Sequence, residues 1–214
     1  ILSPEQAEEK LRAAPDEEAL NMAERQKGLS AWYQEARNFG RIVSERGSSL
    51  VPGTEVHENV IVTGGGPGIM EAANRGAADV SAPSIGFNIV LPTEQPPNAY
   101  STPELTFRFH YYAVRKMHFA MRANALAVFP GGFGTLDELF EILTLKQTRK
   151  TPLMPVILFS RSYWRETINF NRLEDFGMID PEDKALFDIV DTAEEAWELM
   201  VSRGLMAQTP LRED

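Results

Sequence analysis

The hydrophobic and polar positions follow one pattern up to about residue 48 and another beyond it. In the first part, charged residues surround apolar ones at helical spacing, as at Leu20, Ala23, Trp32 and Val43, which predicts two helices broken at Pro15. These predicted helices run from Ser3 to about Ala14 and from Asp16 to about Arg46. We therefore expect a helical N-terminal segment over about residues 1–48.

Beyond that segment, short β-rich runs alternate with helical ones. The predicted strands are Val60 to Thr63, Ser84 to Ile89, Leu105 to Phe109, Ala125 to Phe129, Val156 to Phe159 and Asp188 to Val190. The predicted helices are Gly68 to Val80, Tyr111 to Asn124, Thr135 to Gln147, Ser162 to Phe170 and Thr192 to Arg203. Several strands are apolar throughout, which is typical of a parallel sheet covered on both faces. We predict one domain over residues 1–214, an α/β fold with a Rossmann-like, doubly wound parallel sheet flanked by helices.

Two segments depart from this simple alternation. The chain enters a helix at once, although the first strand of a doubly wound sheet normally lies near its middle, so we expect that strand to be missing from this sequence. The segment Asn88 to Leu105 is long, irregular and rich in proline, which excludes it from a sheet interior. A loop of this length in a compact domain is more often functional than idle.

Two glycine-rich turns each follow a predicted strand and precede a predicted helix. Turn A, Gly64 to Gly68, lies in the segment VIVTGGGPGIM, and turn B, Gly131 to Gly134, lies in VFPGGFGTLDELFE. The first amides of a helix lack partners within it and lie at the positive end of its dipole, so such a turn can bind an anion. One turn of this kind is equally well a plain tight connection. Two of them at carboxyl ends of strands favour a ligand that carries phosphate.

The spacing of the glycines excludes the common nucleotide motifs. The dinucleotide pattern G-x-G-x-x-G would need glycine at Ile69 or at Asp137, and the Walker lysine is absent. The sequence contains neither G-x-S-x-G nor H-E-x-x-H, and His57, His110 and His118 have no metal-binding spacing. A NAD enzyme, Walker-type phosphoryl transfer and a metal site are therefore disfavoured, and we expect no cofactor.

The acidic residues that follow turn B indicate which part of a ligand would lie next to them. Glu138 is predicted in the first turn of the following helix, where an acidic residue can simply complement the helix dipole. A carboxylate directed into a phosphate site would repel the ligand unless it serves a neutral part, such as ribose hydroxyls or an attacking water. Asp137 and Glu141 flank it. Glu138 therefore indicates a reaction at the sugar of the ligand.

The helix Tyr111 to Asn124 supplies the opposite charge. Arg115 lies near its start and can reach across the strand ends to a base or a phosphate, whereas Lys116 is expected to be solvated or next to the phosphate. Its aromatic residues, Tyr111 and Tyr112 among them, are more simply explained as core or interface. Together with the amphipathic N-terminal helix they predict a homodimer or a larger assembly.

Composition limits the partners further. A formal net charge of -10 argues against nucleic acid or an anionic membrane as a partner. No apolar run approaches the ~18 residues of a membrane span, and we expect no signal peptide. The lack of cysteine excludes disulfides and thiolate chemistry, so we expect a cytoplasmic location.

The sequence resembles the LOG ("Lonely guy") family of cytokinin riboside 5'-monophosphate phosphoribohydrolases, many of which carry the older label possible lysine decarboxylase. The resemblance rests on GGGPGIMEAANRGA, Gly64 to Ala77, and on the motif P-G-G-x-G-T-x-x-E, which runs here from Pro130 to Glu138. It covers about Val60 to Gln147 and continues more loosely to Leu199. It implies a Rossmann-like fold, commonly dimeric, with a site for a nucleoside 5'-monophosphate.

The resemblance also implies a catalytic pair. In that family the arginine of an R-K pair and the final glutamate of the glycine motif are catalytic, and they match Arg115 and Glu138. The substrate-binding residues that we expect are Gly64, Gly65, Gly66, Gly68, Glu71, Lys116, Gly131, Gly132, Gly134 and Thr135. The segments GFNIVLPTEQPPNAY and FRFHYY look like the longer bacterial branch, which we expect to act on AMP or other nucleotides more than on isopentenyl forms.

These observations predict a hydrolase that cleaves the N-glycosidic bond of a purine nucleoside 5'-monophosphate, giving free base and ribose 5-phosphate. Glu138 lies beneath the ribose in this hypothesis, Arg115 holds the base or eases its departure, and Glu71 contacts ribose hydroxyls. The phosphate is expected to be bound by amides and one hydroxyl, those of Gly65, Gly66, Gly132, Gly134 and Thr135.

Two other functions stay open at this point. One is a carrier or sensor that binds a nucleotide or a phosphorylated cofactor, such as molybdenum cofactor, without cleaving it. The other is a structural oligomer with a vestigial pocket. Decarboxylation of lysine is disfavoured because it needs pyridoxal phosphate on a lysine, and no lysine in the sequence is marked for it.

Overall fold

The protein is described by a computed structural model that covers residues 1–47, 49, 57–91, 96–151 and 154–205. The chain divides into two compact units, Ile1–Tyr112 and Ala113–Asp214. Each unit contains a three-stranded parallel sheet with helices packed on it.

The first unit begins with the two predicted helices. They are α1 (Pro4–Arg12) and α2 (Glu17–Arg46). Ser3 and Gln6 form a capping box at the start of α1, and the Asp16 carboxylate accepts a hydrogen bond from the Ala19 amide at 2.8 Å, which satisfies amides that the helix itself leaves unpaired. The predicted break at Pro15 is confirmed, because it lies between the end of α1 and the cap of α2.

The sheet of the first unit follows. Its elements are β1 (Ile61–Thr63), α3 (Ile69–Ala78), β2 (Ser84–Ile89), a 3-10 turn (Pro103–Leu105) and β3 (Thr106–Phe109). The strand order is β1-β2-β3, and Val62 lies opposite Ile85. Helix α3 packs on β1 and β2 and against α2. The α2 backbone at Arg37 lies so close to Gly76 that a side chain there would collide with it. Turn A therefore lies at the carboxyl end of β1, where α3 begins.

The second unit has the same alternation. Its elements are α4 (Tyr112–Arg122, which starts at the boundary), β4 (Leu126–Val128), α5 (Phe133–Gln147), β5 (Val156–Phe159), α6 (Arg161–Thr167), α7 (Phe170–Asp175), a 3-10 helix (Pro181–Leu186), β6 (Asp188–Val190) and α8 (Ala193–Ser202). The strand order is β4-β5-β6, and Ala127 lies opposite Ile157. Turn B connects β4 to α5.

The core of the second unit fixes the direction of α5. Leu139 and Ile142 of this helix pack with Val156, Leu158 and Trp164 in one buried cluster. Burial of such apolar side chains contributes about 1.5–3 kcal/mol each. Glu138 precedes Leu139 directly in α5. Because Leu139 is held in the core, its packing also determines which way the side chain of Glu138 faces.

The predicted α/β fold with parallel sheets flanked by helices is confirmed, and the strands agree with the prediction to within one residue at each end. Several helix predictions differ from the structure in detail, and α1, α3 and α4 each end two residues before the predicted end. The helix predicted from Ser162 to Phe170 is two helices, because Asn169 caps a new one by accepting from the Arg172 amide at 3.1 Å. Helix α5 begins at Phe133, two residues before the predicted start.

The proline-rich segment and the 3-10 helices mark the limits of the sequence prediction. Residues 92–95 of the Asn88 to Leu105 loop lie outside the described part of the chain. The remainder of this loop includes the short 3-10 turn before β3, and the sequence analysis did not anticipate the 3-10 helix Pro181–Leu186. The prediction that residues 1–214 form one domain stays a prediction.

Candidate active site

Turn B is an open connection at the carboxyl end of β4. Gly132 is the N-cap of α5 and has no side chain to cap the helix, and its carbonyl accepts from the Leu136 amide at 3.1 Å. A β-carbon at Gly132 or Gly134 would have no other part of the described chain within 4 Å, so packing does not demand glycine at either place. The missing side chains leave the backbone of this turn accessible to a ligand.

Two side chains of the second unit contact the beginning of turn B. The Tyr163 hydroxyl donates to the carbonyl of Gly131 at 2.6 Å. The Thr135 side chain lies so close to the α-carbon of Gly131 that a β-carbon there would collide with it. Phe133, by contrast, leaves 93% of its surface exposed. The hydroxyl of Tyr163, from α6, thus restrains the beginning of turn B, whereas Phe133 within the turn is exposed to solvent.

The two predicted catalytic residues contact each other. Arg115 Nη2 donates to Glu138 Oε1 at 3.1 Å, and the two side chains are 13% and 39% exposed. The Arg115 guanidinium also lies 5.9 Å from the centre of the Phe119 ring. Glu138 lies in the second turn of α5 and not in its first, since the helix begins at Phe133. This position brings its carboxylate to Arg115.

The surroundings of Glu138 change its affinity for a proton. Partial burial raises the pKa of the Glu138 carboxyl above its usual value, and the negative charges of Asp137 and Glu141 raise this pKa further. The positive charges of Arg115 and Lys116 act in the opposite direction. Burial is the largest of these effects. The arginine therefore favours the ionised carboxylate in a place that otherwise disfavours it.

Lys116 neutralises the carboxylates on either side of Glu138. Its ammonium group lies 2.8 Å from Asp137 Oδ2 and 3.2 Å from Glu141 Oε2, and its hydrogen bond to Asp137 raises the pKa of Lys116 above its usual value. The lysine side chain is only 18% exposed. The structure thus places Lys116 in an ion-pair cluster, which reduces the repulsion that this acidic stretch would exert on a phosphate.

Turn A has a different backbone from turn B. Gly65 and Gly68 have φ of 67° and 74°, a left-handed conformation that costs other residues roughly 1–2 kcal/mol. The Gly65 amide donates to Thr63 Oγ1 at 2.9 Å. The Gly65 amide proton is thus used within the turn in the absence of a ligand. The contact of Gly65 with phosphate stays a prediction.

Glu71 lies in the first turn of α3, as predicted. One of its carboxylate oxygens accepts a hydrogen bond from the hydroxyl of Tyr33 at 2.7 Å. Tyr33 belongs to α2 and is only 1% exposed; burial, and then its bond to Glu71, raise the pKa of Tyr33 to about 12. Helix α2 therefore holds Glu71 through a neutral donor, and its contact with ribose stays a prediction.

The predicted residues divide between the units. The first unit contains Gly64, Gly65, Gly66, Gly68 and Glu71, and the second contains Arg115, Lys116, Gly131, Gly132, Gly134, Thr135 and Glu138. Sequence reasoning missed Tyr163, which comes 32 residues after the glycine that it contacts. No local signal in the sequence identifies it.

Metal-binding clusters and membrane-spanning helices are both absent from the described residues. No group of three or more histidine, aspartate or glutamate side chains in the described ranges is arranged to hold a metal ion. None of the helices in the part of the chain that the structure describes combines the length and the apolar character needed to cross a membrane.

Comparison with known proteins identifies relatives of this chain. A family described as possible lysine decarboxylase matches residues 70–200. The chain is 32% identical over 125 residues to the probable cytokinin riboside 5'-monophosphate phosphoribohydrolase LOGL5 of Oryza sativa subsp. japonica. It is 32% identical over 124 residues to the cytokinin riboside 5'-monophosphate phosphoribohydrolase LOG of the same plant. The alignments include 57% and 56% of this chain and 46% of each relative, so the chain spans about half the length of the curated relatives that it matches.

Solved structures share the fold. The structural-genomics target TM1055 aligns with a TM-score of 0.55 at 18% identity, over 81% of this chain and 89% of that one. The molybdenum cofactor carrier protein MCP of Chlamydomonas reinhardtii aligns with a TM-score of 0.54 at 18% identity, over 81% of this chain and 88% of that one. At these identities the likeness concerns the fold alone.

Proposed function

Because this chain belongs to the possible lysine decarboxylase (LOG) family, we propose that it hydrolyses the N-glycosidic bond of a nucleoside 5'-monophosphate. The products are the free base and ribose 5-phosphate. The observation that carries the proposal is the hydrogen-bonded ion pair of Arg115 and Glu138, whose acid lies one helical turn beyond glycine turn B. A protein that only binds an anion gains nothing from a carboxylate at this place.

Glu138 acts on the ribose in this proposal. Cleavage of an N-glycosidic bond develops positive charge on the sugar, and a carboxylate next to the ring stabilises that charge, as in O-glycosidases. Glu138 also accepts a proton from the attacking water. The water oxygen bonds to the anomeric carbon, and the bond to the base breaks with both electrons leaving on its nitrogen. The departing base then takes up the proton that water gave to Glu138, which returns the carboxylate to its ionised form.

Arg115 has two functions in this scheme. Its positive charge lowers the pKa of Glu138, which keeps the carboxylate ionised, and its guanidinium holds the base or eases its departure. Amides at the start of α5 and the Thr135 hydroxyl bind the 5'-phosphate, because they lie at the positive end of the helix dipole. The glycines without side-chain neighbours in turn B, Gly132 and Gly134, allow the phosphate to approach the backbone.

Substrate-binding residues are also proposed within the first unit, considered by itself. Gly64, Gly66 and Gly68 are assigned to the phosphate because they precede the N-terminus of α3. Glu71 is assigned to ribose hydroxyls. Gly65 is assigned to the conformation of the turn, since its amide bonds to Thr63.

The substrate is AMP or a cytokinin riboside 5'-monophosphate. The relatives from Oryza sativa are named for the cytokinin substrates, whereas the segments shared with the longer bacterial branch favour AMP. Incubation of the protein with a panel of nucleoside monophosphates that includes AMP and isopentenyl-AMP, followed by chromatography of the products, tests the proposal. Ribose 5-phosphate and free base in equal amounts are expected, and absence of both from every reaction would refute it.

The label lysine decarboxylase does not fit the lysines of the site. Pyridoxal phosphate chemistry needs a lysine amine that can reach the cofactor. The buried lysine of the second unit, Lys146, is 6% exposed, and its ammonium group donates to the carbonyls of Met154, at 2.7 Å, and Leu186. Lys116 is occupied by Asp137 and Glu141. Neither lysine amine is therefore available to bind pyridoxal phosphate.

A carrier of a nucleotide or of molybdenum cofactor is the second candidate, since MCP shares the fold. The pair of Arg115 and Glu138 favours the enzyme over the carrier. The two candidates differ in one measurement, because a carrier binds AMP or the cofactor and releases no ribose 5-phosphate.

A homodimer is the assembly that we propose. Several apolar side chains of α4 and the residue before it are exposed in the single chain, namely Tyr111, Tyr112, Val114, Met117 and Met121. A second copy would remove this apolar surface from water. Sedimentation of a monomer at micromolar concentration would contradict the proposal.

A further inference from the structure

The proline-rich loop that follows β2 contacts turn A through one residue. The backbone amide of Asn98 donates to the carbonyl of Gly65 at 2.7 Å, and its side-chain amide donates to the carbonyl of Gly66 at 3.1 Å. A single asparagine therefore donates hydrogen bonds to two consecutive carbonyls of turn A, those of Gly65 and Gly66.

Asn98 is itself held in one orientation. Its Oδ1 accepts from the backbone amides of Tyr100 and Ser101 at 3.0 and 3.2 Å, and its second Nδ2 proton bonds to Asn74 Oδ1 at 3.0 Å. Both donors and the acceptor of the side-chain amide are thus used. A reversed amide would place its NH₂ group against two N–H donors, so the contacts admit one orientation.

Asn74 connects this arrangement to the core of the first unit. It is 0% exposed, its Oδ1 also accepts from Thr63 Oγ1 at 2.7 Å, and its Nδ2 donates to Ser84 Oγ at 2.9 Å. Thr63 in turn accepts from the amide of Gly65. Buried networks in which every member is satisfied are rigid. The network therefore links β1, α3 and β2 to the position of Asn98.

The geometry of the peptide bond determines what this network does for turn A. No peptide bond among the described residues is cis, and in a planar trans peptide the C=O and the following N–H point in opposite directions. Because Asn98 binds the carbonyl of Gly65, the N–H of Gly66 points away from Asn98. Pro67 has no N–H, and the amide of Gly65 is used by Thr63. Gly66 is thus the donor whose direction Asn98 fixes.

We propose that Asn98 is a positioning residue that directs the Gly66 amide of turn A towards the phosphate of the substrate. This inference rests on the proposed function, which assigns turn A to the phosphate. Pro96 and Pro97 precede Asn98, and their restricted backbone lowers the entropy that the loop loses when it is held on the turn. The loop therefore acts on the substrate through the backbone of the turn.

The test uses the variants Asn98→Asp and Asn98→Ala and measures affinity by calorimetry with AMP and with adenosine. Asn98→Asp keeps the acceptor for Tyr100 and Ser101 and replaces the side-chain donor to Gly66 and Asn74 by an oxygen that repels theirs. We expect this repulsion to move residue 98, and with it the backbone bond to Gly65, away from turn A. We expect AMP affinity to fall on the order of tenfold, the size of one or two buried hydrogen bonds, while adenosine affinity stays the same. In kinetics, KM for AMP rises and kcat changes little.

Asn59→Asp is the matched control. Asn59 Nδ2 also donates to a glycine carbonyl, that of Gly47, at 2.9 Å, but Asn59 precedes β1 whereas turn A follows it. Its substitution should leave AMP affinity unchanged. Equal loss in the control, unchanged AMP affinity in both Asn98 variants, or equal loss of AMP and adenosine would overturn the proposal.

A measurement on the unmodified protein gives a second test that does not depend on how the variants fold. In amide-resolved NMR spectra, addition of AMP should shift the Gly66 N–H signal and slow its exchange with solvent, and an unaffected signal would refute the inference. Both tests report binding. A protein that binds AMP without hydrolysing it therefore refutes the proposed function and leaves the Asn98 result interpretable, whereas a protein that binds no AMP overturns both.

Discussion

Turns A and B have similar sequences but use glycine for different physical reasons. In turn A, Gly65 and Gly68 adopt positive φ, and Asn98 bonds the carbonyls of Gly65 and Gly66. In turn B, Gly132 has φ of -93°, and open space surrounds it. Glycine thus allows a special backbone conformation in one turn and leaves room above the backbone in the other.

The acidic residues that follow the two turns differ in the same way. Glu71 accepts a hydrogen bond from Tyr33, a neutral partner. Glu138 pairs with the guanidinium of Arg115 in surroundings that raise its pKa. An acid whose ionisation is balanced between burial and a positive charge is typical of a catalytic group. This difference supports the proposal that Glu138, and not Glu71, is the catalytic acid.

Exchange of each acid for its amide gives the largest expected effect. Glu138→Gln should lower kcat by about 10²–10⁴-fold, the usual contribution of a catalytic acid or base, with little change in AMP affinity. Glu71→Gln should change KM by about tenfold or less, the size of one hydrogen bond. Rates of ribose 5-phosphate release measure both. Glu198→Gln, at an exposed position of α8, serves as the control, and wild-type turnover by the Glu138 variant would refute the catalytic assignment.

Removal of the positive charge at turn B should change both rate and pH dependence. Arg115→Met is expected to lower kcat/KM on the order of 10²-fold, as loss of one electrostatic contact in an active site does. In the proposed mechanism activity needs ionised Glu138, so the rate should rise as pH rises through the pKa of that group. Without Arg115 this pKa is higher still, and the acidic limb of the pH profile moves to higher pH.

Tyr33→Phe is the corresponding change beside turn A. It removes the hydroxyl that donates to Glu71 and leaves the surroundings of Glu138 unchanged, so the acidic limb should stay where it is in the wild type. The profile of kcat/KM against pH separates the two variants. A shift of equal size in both would contradict the distinction between the two acids.

A β-carbon added to a glycine should lower the free energy of unfolding in turn A and raise it in turn B. Gly65→Ala places alanine at a φ of 67°, which should lower the free energy of unfolding by about 1–2 kcal/mol. Gly134→Ala lies inside α5 with no neighbour among the described residues, so helix propensity should raise the free energy of unfolding by up to about 1 kcal/mol. The added methyl group should nevertheless weaken AMP binding.

Urea denaturation and calorimetry with AMP measure these two effects separately. If Gly134→Ala bound AMP as tightly as the wild type, the open space at turn B would have no part in ligand binding. If Gly65→Ala unfolded at the same urea concentration as the wild type, the assigned conformation of turn A would be wrong.

Loss of one hydroxyl at turn B gives the smallest expected effect. Tyr163→Phe removes the donor to the Gly131 carbonyl and should lower the free energy of unfolding by about 0.5–1.5 kcal/mol. Its effect on AMP affinity should be smaller than that of Asn98→Asp, because the Tyr163 hydroxyl makes one hydrogen bond to its turn, whereas the Asn98 side-chain amide donates both to the Gly66 carbonyl and to Asn74. Tyr111→Phe, at an exposed position, is the control. A larger loss of AMP affinity in Tyr163→Phe than in Asn98→Asp would contradict this expectation, because it would make the hydrogen bond to turn B more important for binding than those to turn A.

Much of the fold could be predicted because its signals are local. The strand Val156–Phe159 was predicted to the residue, since an apolar run covered on both faces has an unmistakable composition. The family resemblance that the two glycine motifs indicated is confirmed by the match over residues 70–200. The start of α5 was misplaced because Phe133 and Gly134 are poor helix formers and enter the helix only through the bond from the Leu136 amide to the Gly132 carbonyl.

The sequence by itself determined the alternation of strands and helices, the two glycine turns and the identity of the charged residues near them, because each depends on neighbours a few positions away. Only the tertiary structure decided which residues become hydrogen-bond partners. Arg115 and Glu138 are 23 residues apart and Asn98 and Gly66 are 32 apart, and a hydrogen bond over such a separation depends on how helices and loops pack. Packing thus decided that one glutamate has a cation as its partner and the other a tyrosine hydroxyl.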